Sequence, residues 1–570
     1  MKVTGRAIYT ADMELPAMAC GKILRSPYPH ARLVKIDATK ARVLPGVLAV
    51  LTREDLSEFS PYYGAAYKDQ PIVALEKVRY AGDPVAAVAA VDECAAEEAL
   101  ALIEVEYEEV PGVMTLEEAL APNAPLVHEE AFEQGELQGF HYRAPDEFRG
   151  TNICYRFSFK KGDVSEGFRW ADYIFEDTFT LPPVHHYSME AHSTVAHFDR
   201  ERITLWTSTQ DPFILQNHLE EVFRLPANRI RIIVPYLGGG YGGKLSVKTE
   251  PLAVALSGKA RRPVKIVHSV EESFKTITRH GARCRIKSGV TRDGRLIARE
   301  CEIYMNTGAY ADAGPRVTQK AGYRAPGPYR IPHIRTEAYT VYTNSVPAGA
   351  FRGFGTPQVS WAYESQMDII AEGLGIDPLE FRLKNLLDKG EDFTPGDRPV
   401  DCDLSEGLLR VAEAIEWHLP PEKPNRGKGL SCSMRDGGGA YKLASATVKL
   451  NTDGSVVLFT GTVEMGQGAH TALSQIVAEE LSVPLDRVVV AQLDTDVTPY
   501  DAGTNASSST VVMGLCVQRA AQDLKRQLLG RAAKKLKCRI EDLTLRDGQI
   551  HAGEGPGISF EQILMQWFGS

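Results

Sequence analysis

A short glycine-rich stretch places the strongest constraint on the fold of this 570-residue chain. Residues 237–246 read LGGGYGGKLS, in which five glycines surround one tyrosine and a lysine follows. Glycine loses more conformational freedom on folding than any other residue, so this density indicates close backbone approach or positive φ angles. A β-branched run at 229–237 leads into the stretch, and residues 250–256 have helical character. We therefore predict a strand, a tight loop (residues 238–244, the glycine loop) and a helix.

The glycine loop also matches the phosphate-binding pattern G-x-x-x-x-G-K. A nucleotide-binding loop needs Ser or Thr directly after the lysine, because that hydroxyl holds Mg²⁺. Leu245 stands at this position, and Ser246 comes one residue late. The sequence therefore disfavours an NTPase, although inward-pointing glycine amides can still bind an anion.

Length, charge and cysteine spacing exclude several other classes. A chain of 570 residues is too long for one core, so we predict about two to four domains. The net charge of -10 argues against a nucleic-acid surface, and the basic run at 531–537 is typical of a solvated helix face. The nine cysteines show no C-x-x-C spacing, which disfavours iron–sulfur or structural zinc sites held by this chain alone. Without an apolar signal core or a run near the ~20 residues of a membrane span, we expect a cytoplasmic protein.

Three domains are predicted along the chain. Residues 1–130 alternate short β runs with turns and one helical stretch, which indicates a small α/β domain. The second predicted domain covers residues 131–395, and the Pro-, Glu- and Gly-rich stretch at 121–151 is a linker candidate between the two. The third covers residues 396–570.

The two later domains share a faint internal repeat. Asp293-Gly294 and Asp453-Gly454 each lie between alternating apolar runs, a pattern that predicts a β-hairpin. In both places a Gly-Ala pair follows 14 positions after the turn glycine. Two related α+β domains would explain this pattern, and the frequency of Asp-Gly hairpins leaves coincidence open.

Three more segments have the composition of ligand-binding loops. They are AFRGFG at 350–355 (the arginine loop), EMGQG at 464–468 (the second glycine loop) and DAGTNASSST at 501–510 (the serine segment). Each alone could be an ordinary turn. Together they supply many backbone amides and hydroxyls and few charges, which suits a large phosphate-bearing ligand between domains. We expect the arginine of the arginine loop to be buried.

With these motifs the chain resembles the molybdenum-binding subunit of the xanthine dehydrogenase/aldehyde oxidase family, the molybdenum hydroxylases. The resemblance extends from KVTGRA at residues 2–7 to the last residue. Its markers are GGGYGGK (238–244), GAFRGFGTPQ (349–358), GIDPLEFRLKNLL (375–387), EMGQGAHT (464–471) and TNASSST (504–510). The resemblance implies an α+β fold, with an N-terminal α/β hammerhead-like domain followed by two related molybdopterin-binding domains.

The same resemblance implies a molybdopterin cofactor with molybdenum, for which molybdopterin cytosine dinucleotide is one candidate form. The dithiolene of the cofactor would hold the metal without a protein ligand, so His185, His186 and His192 are expected in packing roles. Catalytic roles are implied for Gln210 and Arg352. Cofactor contacts are implied for Gln210, Gly240, Tyr241, Gly242, Arg352, Met465, Gly466, Gln467, Gly468, Thr504, Asn505, Ala506, Ser507, Ser508 and Ser509.

Individual roles follow from the family pattern. Gln210 would hydrogen-bond a molybdenum oxygen, and the backbone amide of Tyr241 would face the oxygen ligands of the metal. Arg352 would sit beside the metal, and Phe354 would stack on a flat substrate. The implied reaction is oxidative hydroxylation, in which a glutamate is the base and water supplies the product oxygen.

The chain departs from the family pattern at the catalytic glutamate. The G-x-G-E-like motif of the family follows all the markers above, and the sequence reaches Ser570 before it. Glu554, in AGEGP, is interpreted as a loop residue because of its turn-rich setting. We expect a second molybdopterin-binding chain that carries the glutamate, with a truncated chain as the alternative. A [2Fe–2S] subunit and an FAD subunit are expected as electron-transfer partners.

Two positions bear on the substrate. Purine oxidisers of the family place Glu after the lysine of the glycine loop, whereas Leu245 stands here. This residue disfavours xanthine and favours a less polar aldehyde or aromatic substrate. Carbon monoxide dehydrogenases place Cys after the arginine of the arginine loop, whereas Gly353 stands here. We therefore expect hydroxylation of an N-heteroaromatic compound or an aldehyde. A hydroxybenzoyl-CoA-type reductase and a non-catalytic scaffold are the alternatives.

Overall fold

A computed structural model describes residues 2–130, 132–135, 142, 146–392, 398–421, 423–433 and 442–565. Part of the linker predicted at 121–151 lies outside the described residues. Among the described residues, no helix combines the length and apolar character that crossing a membrane requires.

The first 130 residues form short strands and helices, as their sequence pattern predicts. The elements are β1 (Ala19–Arg25), β2 (Ala31–Asp37), α1 (Thr39–Arg42), β3 (Val47–Leu51), β4 (Tyr62–Tyr63), β5 (Gln70–Pro71), β6 (Lys77–Val78), β7 (Pro84–Ala90), α2 (Glu93–Ala101), β8 (Glu104–Glu109) and α3 (Leu116–Ala119).

The middle of the chain contains the longest strands. Its elements are β9 (Ile153–Lys161), α4 (Val164–Trp170), β10 (Tyr173–Leu181), β11 (Ser193–Phe198), β12 (Ile203–Thr207), α5 (Pro212–Phe223), β13 (Ile230–Val234), α6 (Glu250–Ala260), β14 (Val264–Val267), α7 (Val270–Phe274), β15 (Thr278–Arg279), β16 (Gly281–Val290), β17 (Leu296–Gly308), α8 (Gly314–Arg324), β18 (His333–Tyr342), β19 (Ala348–Gly349), α9 (Thr356–Leu374) and α10 (Pro378–Asn385).

The last part of the chain is dominated by a long helix. Its elements are α11 (Leu404–Ala414), β20 (Ala446–Leu450), β21 (Val456–Thr460), α12 (Ala469–Leu481), β22 (Val488–Val490), β23 (Leu493–Asp494), α13 (Gly514–Leu536), β24 (Leu543–Arg546), β25 (Gln549–Ala552), β26 (Ile558–Ser559) and α14 (Phe560–Met565). A π-helical turn, Ser509–Met513, leads into α13.

An eight-stranded mixed sheet joins all three parts of the chain. Its strand order is β23-β13-β12-β11-β14-β1-β7-β3. Apolar residues of β11 to β14 pack with those of α5 and α6 into one core. Since β1, β3 and β7 pair into the same sheet as β11 to β14, the N-terminal part extends the sheet of the middle part.

The two Asp-Gly turns close hairpins, as predicted. β16 pairs antiparallel with β17 across Gly294, and β20 pairs antiparallel with β21 across Gly454. In each case the second strand leads to a helix, α8 or α12, and then to a strand that pairs parallel with it, β18 or β22. Hairpin, helix and parallel strand therefore occur twice in the same order. The α+β fold with two related later domains is confirmed.

Candidate active site

Gln210 and the glycine loop lie at one edge of the eight-stranded sheet. β12 and β13 are parallel neighbours, so their carboxyl ends point to the same side. Gln210 follows the end of β12, and the glycine loop follows the end of β13. Ligands of open α/β sheets bind outside the carboxyl ends of such strands. The topology therefore brings Gln210 and the glycine loop together.

The side-chain amide of Gln210 joins the glycine loop to the serine segment. Its Oε1 accepts the N–H of Gly242 at 2.9 Å, and its Nε2 donates to the carbonyl of Thr504 at 3.0 Å. The backbone N–H of Thr504 returns to the carbonyl of Gln210 at 3.0 Å. Gln210 is only 2% exposed. A glutamine amide has two N–H groups, and the second one on Gln210 has no acceptor among the described residues.

The glycines of the glycine loop are required by close packing. A Cβ at Gly240 would overlap Oε1 of Gln210, and one at Gly242 would lie 2.6 Å from the carbonyl oxygen of Ala350. At Gly243 the Cβ would lie 2.8 Å from the ring of His186. The loop therefore lies directly against Gln210 and the arginine loop.

Backbone hydrogen bonds bring the second glycine loop to the same place. The N–H of Leu237 donates to the carbonyl of Glu464 at 3.2 Å. The hydroxyl of Thr504 accepts the N–H of Val463 at 2.8 Å. The carboxylate of Glu464 accepts the N–H groups of Gly466 at 2.9 Å and Gly468 at 3.3 Å.

The arginine loop contacts the glycine loop through its backbone. The N–H of Arg352 donates to the carbonyl of Tyr241 at 2.8 Å. Contrary to expectation, the Arg352 side chain is exposed, because no buried carboxylate among the described residues pairs with its charge. Phe354 is half-buried and packs against an apolar cluster that includes Ala311 and Val317.

These loops contain four of the sixteen non-glycine residues with positive φ among the described residues. Tyr241 has φ +53° and Phe354 has φ +51°, while Ala506 and Ser507 both have φ +56°. The left-handed region costs a non-glycine residue about 1–3 kcal/mol, and such strain clusters at functional sites. Four strained residues in three converging loops therefore support a functional site here.

Buried ionisable groups lie beneath the serine segment. Burial raises the pKa of Asp211 to about 7, and it also raises the pKa of Asp501. Lys442, whose pKa burial lowers, donates to the carbonyl of Gly503 at 3.0 Å and to Oδ1 of Asn505 at 2.7 Å. Lys442 therefore holds the segment in place from within the protein.

The histidines near the glycine loop have packing roles. Nε2 of His186 lies 2.7 Å from the carbonyl oxygen of Ala350, and Nε2 of His192 lies 3.0 Å from that of Gly243. Burial lowers the pKa of His186 to about 4, so its ring is neutral near pH 7. No group of three or more His, Cys, Asp or Glu side chains in the described ranges could hold a metal ion.

Comparisons with known proteins identify the family. Residues 4–111 match the family described as "Aldehyde oxidase and xanthine dehydrogenase, a/b hammerhead domain". Residues 146–386 and 410–569 each match a molybdopterin cofactor-binding domain. The chain is 35% identical over 596 residues to the xanthine dehydrogenase molybdenum-binding subunit of Escherichia coli, an alignment that covers 100% of this chain and 76% of that protein. The chain belongs to the molybdenum hydroxylases.

Two further relatives of this molybdenum hydroxylase subunit are named after nicotinate and quinoline. It is 37% identical over 414 residues to the nicotinate dehydrogenase large molybdopterin subunit of Eubacterium barkeri, covering 72% of this chain and 92% of that subunit. The crystal structure of quinoline 2-oxidoreductase from Pseudomonas putida 86 superposes with a TM-score of 0.84 at 27% identity. That superposition covers 100% of this chain and 75% of the other. The chain is thus a molybdopterin-dependent oxidoreductase subunit.

The observed site fits a large anionic cofactor. The second N–H of Gln210 is open, and the backbone N–H of Tyr241 has no acceptor within the described part of the chain. The π-helical turn Ser509–Met513 and α13 begin at the serine segment, and the first amides of a helix favour an anion. A Cβ at Gly466 or Gly468 would meet no heavy atom within 4 Å. The molybdenum hydroxylase site therefore has two N–H donors without an acceptor among the described residues, and free space beside the second glycine loop.

Sequence reasoning missed two glutamates that organise the loops. Glu464 is the first residue of the second glycine loop, and an acidic residue at that position is a local signal for an acceptor of loop amides. Glu190 lies in the histidine-rich segment at 184–192, far from the glycine loop that it contacts. The sequence around Glu190 carries no such local signal.

Proposed function

We propose that this chain is the molybdenum-cofactor subunit of a hydroxylase that inserts water-derived oxygen into an N-heteroaromatic compound. The observation that carries the proposal is the Gln210 side chain, which hydrogen-bonds Gly242 of the glycine loop and Thr504 of the serine segment. Gln210 keeps one N–H without an acceptor among the described residues, and so does the backbone of Tyr241, the residue before Gly242. Both would donate to oxygen atoms of the bound cofactor. Their positions are fixed by other hydrogen bonds, so donating requires no reorganisation.

The cofactor would supply an oxidising metal centre that takes two electrons from the substrate. The chain's own residues would bind and orient it. Ser507, Ser508 and Ser509 would face its anionic part, because they lie at the amide end of α13. On the opposite side, Met465 to Gly468 would contact the pterin. The exposed guanidinium of Arg352 would lie beside the metal.

The three relatives reported above favour an N-heteroaromatic substrate. Nicotinate, quinoline and xanthine, named in those relatives, are all electron-poor nitrogen rings. Leu245, half-buried at the end of the glycine loop, would present an apolar surface to the ring. Phe354 would contribute an aromatic face.

The remaining expectations stay predictions. They are the base glutamate on a second molybdopterin-binding chain, the [2Fe–2S] and FAD subunits, the dinucleotide form of the cofactor, and domain boundaries near residues 130 and 395. The hydroxybenzoyl-CoA-type reductase remains the second candidate activity.

Removing the Gln210 amide tests the proposed function. Gln210→Ala should lower turnover per bound molybdenum by about 10²–10³-fold, the usual cost of removing one preorganised donor. Gln366→Ala is a matched control, because Gln366 is also buried and is hydrogen-bonded to Asp177 of β10 and Ser288 of β16. The control should keep turnover per molybdenum within about threefold of the wild-type value. Steady-state rates, normalised by elemental analysis of molybdenum, measure both, with pyridines, purines and aldehydes as substrates.

Two results would contradict the proposal. Unchanged turnover per molybdenum in Gln210→Ala would remove the role of the amide. A complex isolated with all its partners that contains no molybdenum would remove the activity altogether.

A further inference from the structure

The lysine that ends the glycine loop forms a buried ion pair. Nζ of Lys244 lies 2.8 Å from Oε2 of Glu190, and the two side chains are 1% and 9% exposed. Burying two charges costs desolvation energy that their attraction often only balances, so stability alone is a weak reason to keep such a pair. The contacts of the pair give a stronger, geometric reason.

Glu190 binds the first residue of the loop as well as the last. Its Oε2, which accepts from Lys244, also accepts the N–H of Gly238 at 2.8 Å. The backbone N–H of Glu190 donates to the carbonyl of Gly238 at 3.1 Å. One carboxylate oxygen therefore joins both ends of the glycine loop and sets the distance between them.

The backbone of Lys244 carries this constraint to Gln210. Its carbonyl accepts the N–H of Gln210 at 2.8 Å. The side chain of Gln210 in turn accepts from Gly242, in the middle of the loop. Since Lys244 is held by Glu190, the pair fixes both the span of the loop and the point where Gln210 meets it.

We propose that the Glu190–Lys244 ion pair positions the glycine loop, so that the N–H of Tyr241 and the amide of Gln210 face the molybdenum cofactor. Glu190 and Lys244 are positioning residues, because their contacts run to Gly238 and Gln210. This inference rests on the proposed function for its effect on turnover. Its effect on the loop itself can be measured without that function.

A second buried ion pair offers a matched control. Nε of Arg382 lies 2.9 Å from Oε2 of Glu364, and the side chains are 0% and 8% exposed. This pair lies between α9 and α10 and has no contact with the glycine loop among the described hydrogen bonds. Replacing either pair by apolar side chains should change the stability of the fold to a similar extent, whereas only replacement of Glu190–Lys244 should loosen the loop.

The experiment compares two double variants of the full chain. Glu190→Leu with Lys244→Met removes both charges of the pair and the acceptor of Gly238. Glu364→Leu with Arg382→Met removes both charges of the control pair and leaves only the exposed Asp368 without its arginine. Hydrogen–deuterium exchange of the peptide at 237–246 should be faster by about tenfold or more in the first variant and unchanged in the second. In the loaded complex, kcat per molybdenum should fall by about tenfold or more in the first variant, with KM within about threefold. Lys244→Arg, which keeps the charge pair, should keep both the exchange rate at 237–246 and kcat per molybdenum near their wild-type values.

Equal exchange at 237–246 in the two double variants would overturn the inference, as would faster exchange with unchanged kcat per molybdenum. If the first double variant does not fold, Lys244→Arg becomes the deciding variant. Turnover and exchange far from the wild-type values in Lys244→Arg would contradict the proposed role of the ion pair. Absence of molybdenum from the wild-type complex would overturn the proposed function, while the exchange result would still decide the role of the pair in the loop.

Discussion

The glycine loop and the second glycine loop look alike in sequence, but their glycines serve different needs. In the glycine loop, a Cβ at Gly240 would overlap Gln210 and one at Gly243 would lie 2.8 Å from His186. In the second loop, Gly466 and Gly468 have φ +105° and +81°, and no heavy atom lies within 4 Å of a Cβ at either position. Packing therefore selects glycine at Gly240 and Gly243, and backbone conformation selects it at Gly466 and Gly468.

Both loops are organised by a glutamate paired with a lysine, but the two pairs differ in burial. Glu190 and Lys244 are nearly inaccessible, with 9% and 1% of their side chains exposed. Glu464 is 5% exposed, but its partner Lys2 is 40% exposed. Charge pairs gain strength and cost more to break as solvent is excluded. Substitutions in the glycine loop should therefore lower the free energy of unfolding far more than substitutions in the second glycine loop.

Among substitutions within the two glycine loops, the largest effect is expected for Gly240→Ala. The added methyl overlaps Oε1 of Gln210, so either Gln210 or the loop must move. We expect a loss of about 1–3 kcal/mol in the free energy of unfolding from overpacking. Turnover per molybdenum should fall by about 100-fold, because a shift of about 1 Å in a positioning group costs that much. Urea unfolding and steady-state kinetics measure the two quantities.

Gly407→Ala is the control for this change. Gly407 lies in α11, and its Cβ would meet no heavy atom within 4 Å. Alanine should stabilise the helix there by about 0.5–1 kcal/mol. If Gly240→Ala were as harmless as this control, close packing would not be the reason for glycine in the glycine loop.

A pH-dependent effect should also centre on the glycine loop. Burial lowers the pKa of His186 to about 4 from its usual 6.5. The folded state thus binds fewer protons than the unfolded state, so the stability contributed above pH 6.5 is lost as pH falls towards 4. His186→Gln can keep a donor to Ala350 without titrating in this window. The wild-type protein should lose up to about 1.4 kcal/mol per pH unit relative to the variant.

Urea unfolding of both proteins at several pH values from 7 to 4 checks this difference. Parallel stability curves would mean that His186 titrates normally and is not held neutral beneath Gly243. His470 beside the second loop, whose pKa is also lowered by burial, is present in both proteins, so its titration does not contribute to the difference between them.

Local elements were predictable from sequence, and their long-range contacts were not. The strand before the glycine loop, the helix after it and both Asp-Gly hairpins follow from local periodicity and turn chemistry. The pair Glu190–Lys244 joins positions 54 apart, and the two meet only because β13 lies in one sheet with β11 and β12. No local pattern encodes such a meeting.

The motifs predicted which segments form the candidate site, but they did not predict the direction of individual side chains. Gln210 hydrogen-bonds directly to Thr504 and to Gly242, the residue after Tyr241. Arg352 was expected to be buried and is exposed. An apolar composition around an arginine does not show which way the side chain points, because that depends on the backbone turn at Gly353, whose φ is +96°.

A smaller effect is expected for Gly466→Ala. The left-handed backbone should cost alanine about 1–2 kcal/mol, offset in part by a gain of about 0.4–1 kcal/mol from a stiffer unfolded chain. The net loss in unfolding free energy should be about 1 kcal/mol. Urea unfolding measures it against Gly407→Ala. A loss as large as that of Gly240→Ala would mean that the second loop is packed as tightly as the first.

The smallest effect is expected for Lys2→Met, which removes the half-exposed partner of Glu464. The carboxylate keeps its hydrogen bonds from Gly466 and Gly468, so it stays solvated by the backbone after the lysine is gone. The loss in unfolding free energy should be at most about 1 kcal/mol, as for exposed ion pairs. It should shrink further in about 1 M salt, where charges are screened within about 3 Å. A loss above about 3 kcal/mol, the range of broken buried pairs, would show that solvent exposure does not separate the two lysine–glutamate pairs.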